Sequence, residues 1–284
     1  DSGVKNTFLA CQNNTIDTVG GGMSIGEASK TLYKNIEGST LAIINCCEHE
    51  FSIATETKAG SNPLNPVSQF YAIQEARKRA NYVLVIVHGG HELWQFPSPR
   101  MKDTYRFFID AGADVVVNHH QHCYSGYEVY KNRPIFYGLG NFCFDKAERK
   151  GKLWEIGYLV LLNFGEQISF NIVPYRQCGK SPSVSLLFGE DLDGFNQNIE
   201  ELNDIIADDK KLHRQFEDYL QQRSHSLRGV LTPYRNKLFS YLHNKGLLPS
   251  FFPRRKFLLL REMFACESHY DSYLYYIDKQ IEKL

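Results

Sequence analysis

The sequence lacks a net charge, since 32 Lys and Arg residues balance 32 Asp and Glu residues over its 284 positions. With no basic excess there is no electrostatic footprint for nucleic acid, and with no acidic tail there is no sign of a solvating polyanion. It lacks any apolar run near the roughly 20 residues that a membrane-spanning helix needs. It lacks a CxxC pair as well: Cys11, Cys46, Cys47, Cys123, Cys143, Cys178 and Cys266 are odd in number, and several fall in strand-like apolar runs. That pattern argues against a zinc site built on cysteine and for free thiols in a reducing, cytoplasmic compartment. The opening residues show neither an initiator Met nor a signal peptide. The length suits one large or two modest domains.

What the sequence does have is concentrated between Val83 and His122. Two apolar runs end in bursts of histidine: Val83-Leu84-Val85-Ile86-Val87 runs into His88-Gly89-Gly90-His91-Glu92, and Ala113-Asp114-Val115-Val116-Val117 runs into Asn118-His119-His120-Gln121-His122. Runs of this kind fit buried parallel strands. Between them Ser98 and Pro99 open a helix, Met101, Tyr105, Phe108 and Ile109 recur at helical spacing, and Gly112 closes it. A strand, helix and strand of this length place both histidine bursts at one edge of a sheet, the carboxyl edge where open α/β sheets bind ligands. Five imidazoles and a carboxylate there form a metal site, an acid/base site or a coincidence of polar loops.

Along the rest of the chain, Thr15 to Val19 reads as a strand running into Gly20-Gly21-Gly22, and Ser24 to Lys34 as a helix with Ile25, Ala28 and Leu32 on one side. Leu41 to Asn45 reads as a strand ending in Glu48, His49 and Glu50. Asn65-Pro66 opens a helix that turns Val67, Phe70 and Tyr71 inward. A hairpin comes after His122, with Tyr124–Tyr130 and Pro134–Tyr137 on either side of Lys131-Asn132-Arg133. Ile156–Phe164 and Gln167–Val173 then complete the sheet region. From Asp191 the pattern is helical, with stripes at Leu212, Phe216, Tyr219 and Leu220, at Leu231, Tyr234, Leu238, Tyr241 and Leu242, and at Tyr270, Leu274, Ile277 and Ile281. The expected division is a sheet domain over 1–176, a linker over 177–190 and a helical region over 191–284.

Three motifs stand in order: His-Gly-Gly-His-Glu at His88–Glu92, Asn-His-His-Gln-His at Asn118–His122, and Tyr137–Asp145, which reads YGLGNFCFD. Together they resemble the CapA (PGA_cap) capsule-biosynthesis family, a branch of the calcineurin-like metallophosphoesterase superfamily, whose usual text is close to HWGxE, GHHPH and SLGNFxFD. The resemblance covers 1–175 and leaves the helical region uncovered. Gly89 stands where the family has tryptophan, Asn118 where it has glycine and Gln121 where it has proline. Asp1-Ser2-Gly3 resembles the end of the family's NxHxxDxG motif, so the first strands and the acidic metal ligands are expected upstream of Asp1.

The resemblance implies an α/β fold, an α+β sandwich of metallophosphoesterase type truncated at its amino end, followed by a helical carboxy-terminal region. It implies a metal-dependent hydrolase with two divalent ions, manganese, zinc or iron, about 3.5–4 Å apart. Its expected metal ligands are His88, His120 and His122, because His120 and His122 are two apart and face one side. His119, facing the other way, is expected to orient a ligand or give a proton to the leaving group. Glu92 and Glu50 are the other expected acid/base or ligand-orienting groups, and His91, Asn118 and Asn141 the expected substrate contacts. Glu48 and His49 read as polar loop residues. The substrate is expected to be a small molecule or a cell-surface polymer such as poly-γ-glutamate, with capsule-synthesis proteins as partners and no nucleic acid. The other class is a capsule-assembly or export factor that uses the same scaffold without catalysis. Family members often carry an amino-terminal membrane anchor, so an anchored, extracytoplasmic protein is the alternative to a cytoplasmic one.

Overall fold

The computed structural model describes residues 2–49, 52–144, 153–178, 181–231, 237–248 and 254–265, together with 277 and 281. Helix α1 (Ser2–Asn13) comes first and buries no residue. A two-residue strand β1 (Gly21–Gly22), a single-turn helix α2 (Ile25–Ala28) and strand β2 (Leu32–Ile36) come next. Strand β3 (Ser39–Cys47), the two-residue β4 (Gly60–Ser61), helix α3 (Pro66–Arg79), strand β5 (Tyr82–His88), helix α4 (Pro99–Asp110) and strand β6 (Val115–His119) make up the centre.

Both central helices start where the sequence places their caps. Asn65 Oδ1 accepts Val67 N–H at 3.0 Å and Ser68 N–H at 3.1 Å, and Ser98 Oγ accepts Met101 N–H at 3.3 Å. A proline takes the first helical position in each, where no amide is missed. The inward face of α3 differs from the expected one: Gln69, Ile73 and Ala76 are buried, whereas Val67 and Tyr71 are exposed. The helix is rotated so that Gln69, Ile73 and Ala76, spaced at four and three residues, face inward.

The hairpin forms as strands β7 (Tyr127–Tyr130) and β8 (Arg133–Phe136), and its two turn residues, Lys131 and Asn132, have φ of 50° and 62°. Positive φ at both central positions matches the twist of a two-residue hairpin. The main sheet has six strands in the order β2-β3-β5-β6-β8-β7, with β3, β5, β6 and β8 mutually parallel. Strands β9 (Ile156–Asn163), β10 (Ser169–Gln177) and β11 (Val184–Leu186) form a separate three-stranded antiparallel sheet.

Two core clusters fix the layers. Ala42, Ile44, Val83, Val85, Val87 and Val116 meet α3 and α4 on one face of the main sheet through Ile73, Tyr105 and Phe108. On the other face Val115 and Phe136 meet Tyr158 of the small sheet and Phe195, Ile199 and Leu202 of helix α5 (Glu190–Ala207). The architecture is therefore α/β, a sheet sandwiched between helices and a second sheet, with a helical region after it.

Two expected elements differ. Thr15–Val19 is not a strand: Thr15 sits at φ 54° after α1, and among the described residues no strand pairs with the segment. The helix expected over Ser24–Lys34 stops at Ala28, and Leu32–Ile36 instead pairs antiparallel with β3 around a Glu37-Gly38 turn at φ 49° and 86°. A sheet edge in need of a partner overrides weak helical spacing.

The chain divides into two compact units, 1–216 and 217–284. Helix α6 (Asp209–Leu231) spans that division, and helices α7 (Lys237–Asn244) and α8 (Arg254–Ala265) belong to the second unit. The division lies well beyond the boundary expected at 191. Among the described residues of the second unit, Leu238 and Tyr241 are exposed; Tyr234, Tyr270 and Leu274 lie outside the described residues. Among the described residues, no helix is long and apolar enough to cross a membrane.

Candidate functional site

The parallel register of β3, β5 and β6 sets Cys47 beside His88 and His88 beside His119. Because side chains alternate along a strand, Val87 and Asn118 turn toward the helices while His88 and His119 turn to the opposite face. The His88 and His119 rings meet edge-on with centroids 4.8 Å apart. Past His119 the chain leaves the strand, and strand alternation no longer applies. His120 has φ 143° and His122 has φ 59°, both in regions that residues with a Cβ rarely adopt. This backbone turns the His120 ring back onto His88, with centroids 4.6 Å apart and His120 Nδ1 3.0 Å from His88 Nε2. His88 is thus flanked by His119 on one side and His120 on the other. All three line a cavity of about 380 Å³ together with Asn45, Cys47, Glu48 and Gly89.

A buried hydrogen-bonded platform holds these turns. Asn118 Oδ1 accepts the Tyr105 hydroxyl at 2.8 Å, and Asn118 Nδ2 faces Gly89 O at 2.9 Å, Tyr137 O at 2.8 Å and Gln121 Oε1 at 3.1 Å. Gln121 Nε2 also donates to Tyr137 O at 2.6 Å. Asn118 is fully buried, so its place is beneath the cavity and it joins the two histidine loops. The residues that replace the family's glycine and proline here cross-brace the site.

His122 stands one ring farther out, 5.9 Å from His120. It stacks on Trp154 at 4.6 Å, and its Nδ1 lies 2.8 Å from Asn141 Oδ1. Asn141 is buried, donates to His122 O and Trp154 O, and acts on the ring of His122.

Sequence reasoning passed over Glu48. Its Oε2 accepts Gly90 N–H at 3.0 Å and its Oε1 accepts Arg100 Nη2 at 3.3 Å, which ties the end of β3 to the loop after β5 and to α4. A Cβ on Gly89 would lie 2.6 Å from Glu48 Cγ, so the carboxylate occupies space that a side chain at position 89, such as the family's tryptophan, would need. No local signal points to it, because Glu48 owes its place to lying one residue beyond Cys47, the register partner of His88. Glu92 is exposed and does not line the cavity. His91 lies apart from the cavity, with its ring 5.6 Å from both Trp94 and Phe216. Glu50 lies outside the described residues.

Burial, reinforced by the neighbouring His88 and His120, pushes the His119 imidazole down to about 4, so at neutral pH it is an uncharged ring. Uncharged imidazoles suit zinc, iron and other transition metals, and in donor chemistry the His88–His120 pair fits such an ion. Among the described residues, no three His, Cys, Asp or Glu side chains are grouped so as to hold one.

Comparison with known proteins bears on the first half of the chain. Residues 1–146 match the family model described as bacterial capsule synthesis protein PGA_cap. The capsule biosynthesis protein CapA of Bacillus anthracis is 35% identical over 156 residues, 53% of this chain and 38% of that protein. The PGA biosynthesis protein CapA of Bacillus subtilis (strain 168) is 35% identical over 148 residues, 51% of this chain and 39% of that protein. The alignments therefore span well under half of these relatives. A crystal structure of a hypothetical protein from Thermus thermophilus is 14% identical with a TM-score of 0.34, covering 51% of this chain and 61% of that one. With its three motifs inside a family match that takes in half its length, the chain belongs to the bacterial capsule synthesis PGA_cap family.

Proposed function

We propose that the chain supplies the histidine-bearing sheet edge of a metal-dependent hydrolase of metallophosphoesterase type, acting on a phosphoester or a cell-surface polymer in capsule or poly-γ-glutamate biosynthesis. The observation that carries this reading is the convergence of His88, His119 and His120 from adjacent strand ends on one cavity. Packing alone does not call for three imidazoles in contact at a ligand-binding edge.

In this reading His88 and His120 hold a divalent ion, manganese, zinc or iron, with His122 oriented by Asn141 as the third nitrogen and a second ion completing the pair. Such a pair of ions supplies an activated water and neutralises charge on the leaving oxygen. His119 buttresses His88 and handles a proton at the cavity wall. The Asn118 platform fixes both loops so that the rings do not reorganise on binding. Free thiols, with Cys46 and Cys123 buried, favour action in a reducing compartment. Other capsule-synthesis proteins are the proposed partners.

A second reading is favoured by the lack of any three-donor group among the described residues: a non-catalytic assembly or export factor built on the same scaffold. Metal analysis after loading with manganese or zinc, followed by assay of the intact protein on a chromogenic phosphodiester, separates the two. The hydrolase retains metal, and His88→Ala and His120→Ala lose both metal and turnover by roughly 100-fold or more. A well-folded intact protein that takes up no metal overturns the hydrolase in favour of the scaffold.

A further inference from the structure

The carboxylate–guanidinium bridge at the rim of the histidine cavity has no part in the chemistry above. Glu48 is joined by one oxygen to Gly90 N–H and by the other to Arg100, and its stem lies across Gly89, where a Cβ would come within 2.6 Å of Cγ and 2.8 Å of Cδ. The same side chain lines the cavity with His88, His119 and His120. An internal carboxylate thus sits where an anionic group entering beside His88 would sit.

Arg100 is the exposed member of the pair, with 73% of its side chain accessible against 28% for Glu48. Among the described residues Glu48 is its one ion-pair partner, through a single 3.3 Å contact. Such an exposed, one-point pair contributes little, whereas a guanidinium grips an incoming oxyanion through two parallel hydrogen bonds. Helix stability does not explain Arg100 either, because it lies in the first turn of α4, where a cation opposes the helix dipole and no acidic residue of that turn offsets it. Glu48 keeps its bond to Gly90 when Arg100 lets go, so the exchange does not require the loop to collapse.

We propose that Arg100 recognises an oxyanion of the substrate, phosphate or carboxylate, next to the reacting bond, and that Glu48 holds Arg100 at the rim until that anion displaces it. The proposal rests on the hydrolytic reading for the reaction of the bound substrate, and on the Glu48–Arg100–cavity geometry for the binding itself.

The test is calorimetric titration of the chain with inorganic phosphate and, separately, with a γ-linked glutamate oligomer at low salt, with metal content measured on the same samples. At least one probe binds the wild type. Arg100→Gln weakens it tenfold or more, Arg100→Lys falls between, and Glu48→Gln, which keeps the size and the Gly90 acceptor, tightens it severalfold. Metal content is the same in all four proteins. Response to phosphate alone assigns a phosphoester, and response to the oligomer alone assigns a carboxylate polymer. Equal affinity in wild type and Arg100→Gln, weaker binding in Glu48→Gln, or no binding of either probe to the wild type overturns the proposal. Arg100-dependent binding by a metal-free chain leaves it standing, and the hydrolase falls separately, only if the intact protein takes up no metal.

Discussion

Because Asn141 Nδ2 donates to two carbonyls, that of His122 at 3.1 Å and that of Trp154 at 3.2 Å, its Oδ1 is the atom that faces His122 Nδ1. The ring therefore carries its proton on Nδ1, and Nε2 presents the lone pair. Nitrogen-15 NMR of histidine-labelled protein at neutral pH is expected to show that single tautomer, and Asn141→Ala a mixture. The same substitution strips donors from two carbonyls and costs about 1–3 kcal/mol in urea denaturation; a wild-type His122 protonated on Nε2 contradicts the assignment. A second residue-scale expectation concerns Cys46, whose thiol is pushed by burial, and then by the adjacent Cys47, from 9.0 up to about 12. A folded value above the unfolded one favours the protonated thiol, so its contribution is complete below pH 9.0 and is lost as pH rises from there toward about 12. Between pH ~8 and ~10.5 the wild type should lose roughly 2 kcal/mol more than Cys46→Ala, and equal losses would reject the cause. The approach of His88 and His120 was legible from two apolar runs that end at one sheet edge. His119, expected to face the other way, lines the cavity with them and His122 does not, because the backbone leaves the strand after His119 and alternation no longer applies. Glu48 was not legible, because its place depends on the register between β3 and β5, which no local pattern carries. Asn118, expected at the substrate, is buried beneath the cavity because strand alternation turns it to the helices.

Lys102 shows how one element is fastened to another. It lies on α4, is fully buried, and donates to Ile206 O in the last turn of α5 and to Asp209 Oδ1, the latter at 2.7 Å. A cation at a helix carboxyl end satisfies an orphan carbonyl and complements the dipole. Lys102→Met, of similar length, is expected to cost about 1–3 kcal/mol with an unchanged urea slope. The Lys102 hydrogen bond, then its charge, holds the Asp209 carboxyl below its usual 3.8. This contribution is therefore present above pH 3.8 and is lost as pH falls through the lower folded value. Lys102→Met should lack that acid limb, and a variant that loses stability below pH 3.8 as steeply as the wild type would show that the pair is not its source. At this scale the parallel core was readable: α3 and α4 carry their caps in the sequence, and β3, β5 and β6 are apolar runs of strand length. Strand β2 was not, because Leu32–Ile36 owes its form to β3 beside it. The second sheet was read as part of the first, since a strand's own residues do not say which sheet it joins.

For the whole molecule, the consequence lies in where the first compact unit ends. Helix α5 is a structural layer of the sheet unit: Phe195, Ile199 and Leu202 are buried against Val115, Phe136 and Tyr158. Polar contacts fix its register, with Asn198 Oδ1 accepting the Tyr124 hydroxyl at 2.8 Å and Asn203 Oδ1 accepting Tyr127 N–H at 2.7 Å. Gly126 admits this approach, since a Cβ there would lie 2.6 Å from Asn203 Oδ1. The helical pattern from Asp191 had marked α5 as the start of a separate helical region, because such a pattern reveals that a helix forms and not what it packs against. A chain ending at 176 therefore loses Phe195, Ile199, Leu202 and Ile206, each worth roughly 1.5–3 kcal/mol of burial, against a total stability of about 5–15 kcal/mol for a typical domain. A chain of residues 1–216 is expected to unfold in one cooperative urea transition with dispersed amide NMR signals. A chain of residues 1–176 is expected to show no such transition and to bind a hydrophobic dye, because the apolar surface that α5 covers beside the small sheet is left bare. Equal urea midpoints for the two would mean that α5 is an appendage, and that the sheet unit closes its core without it.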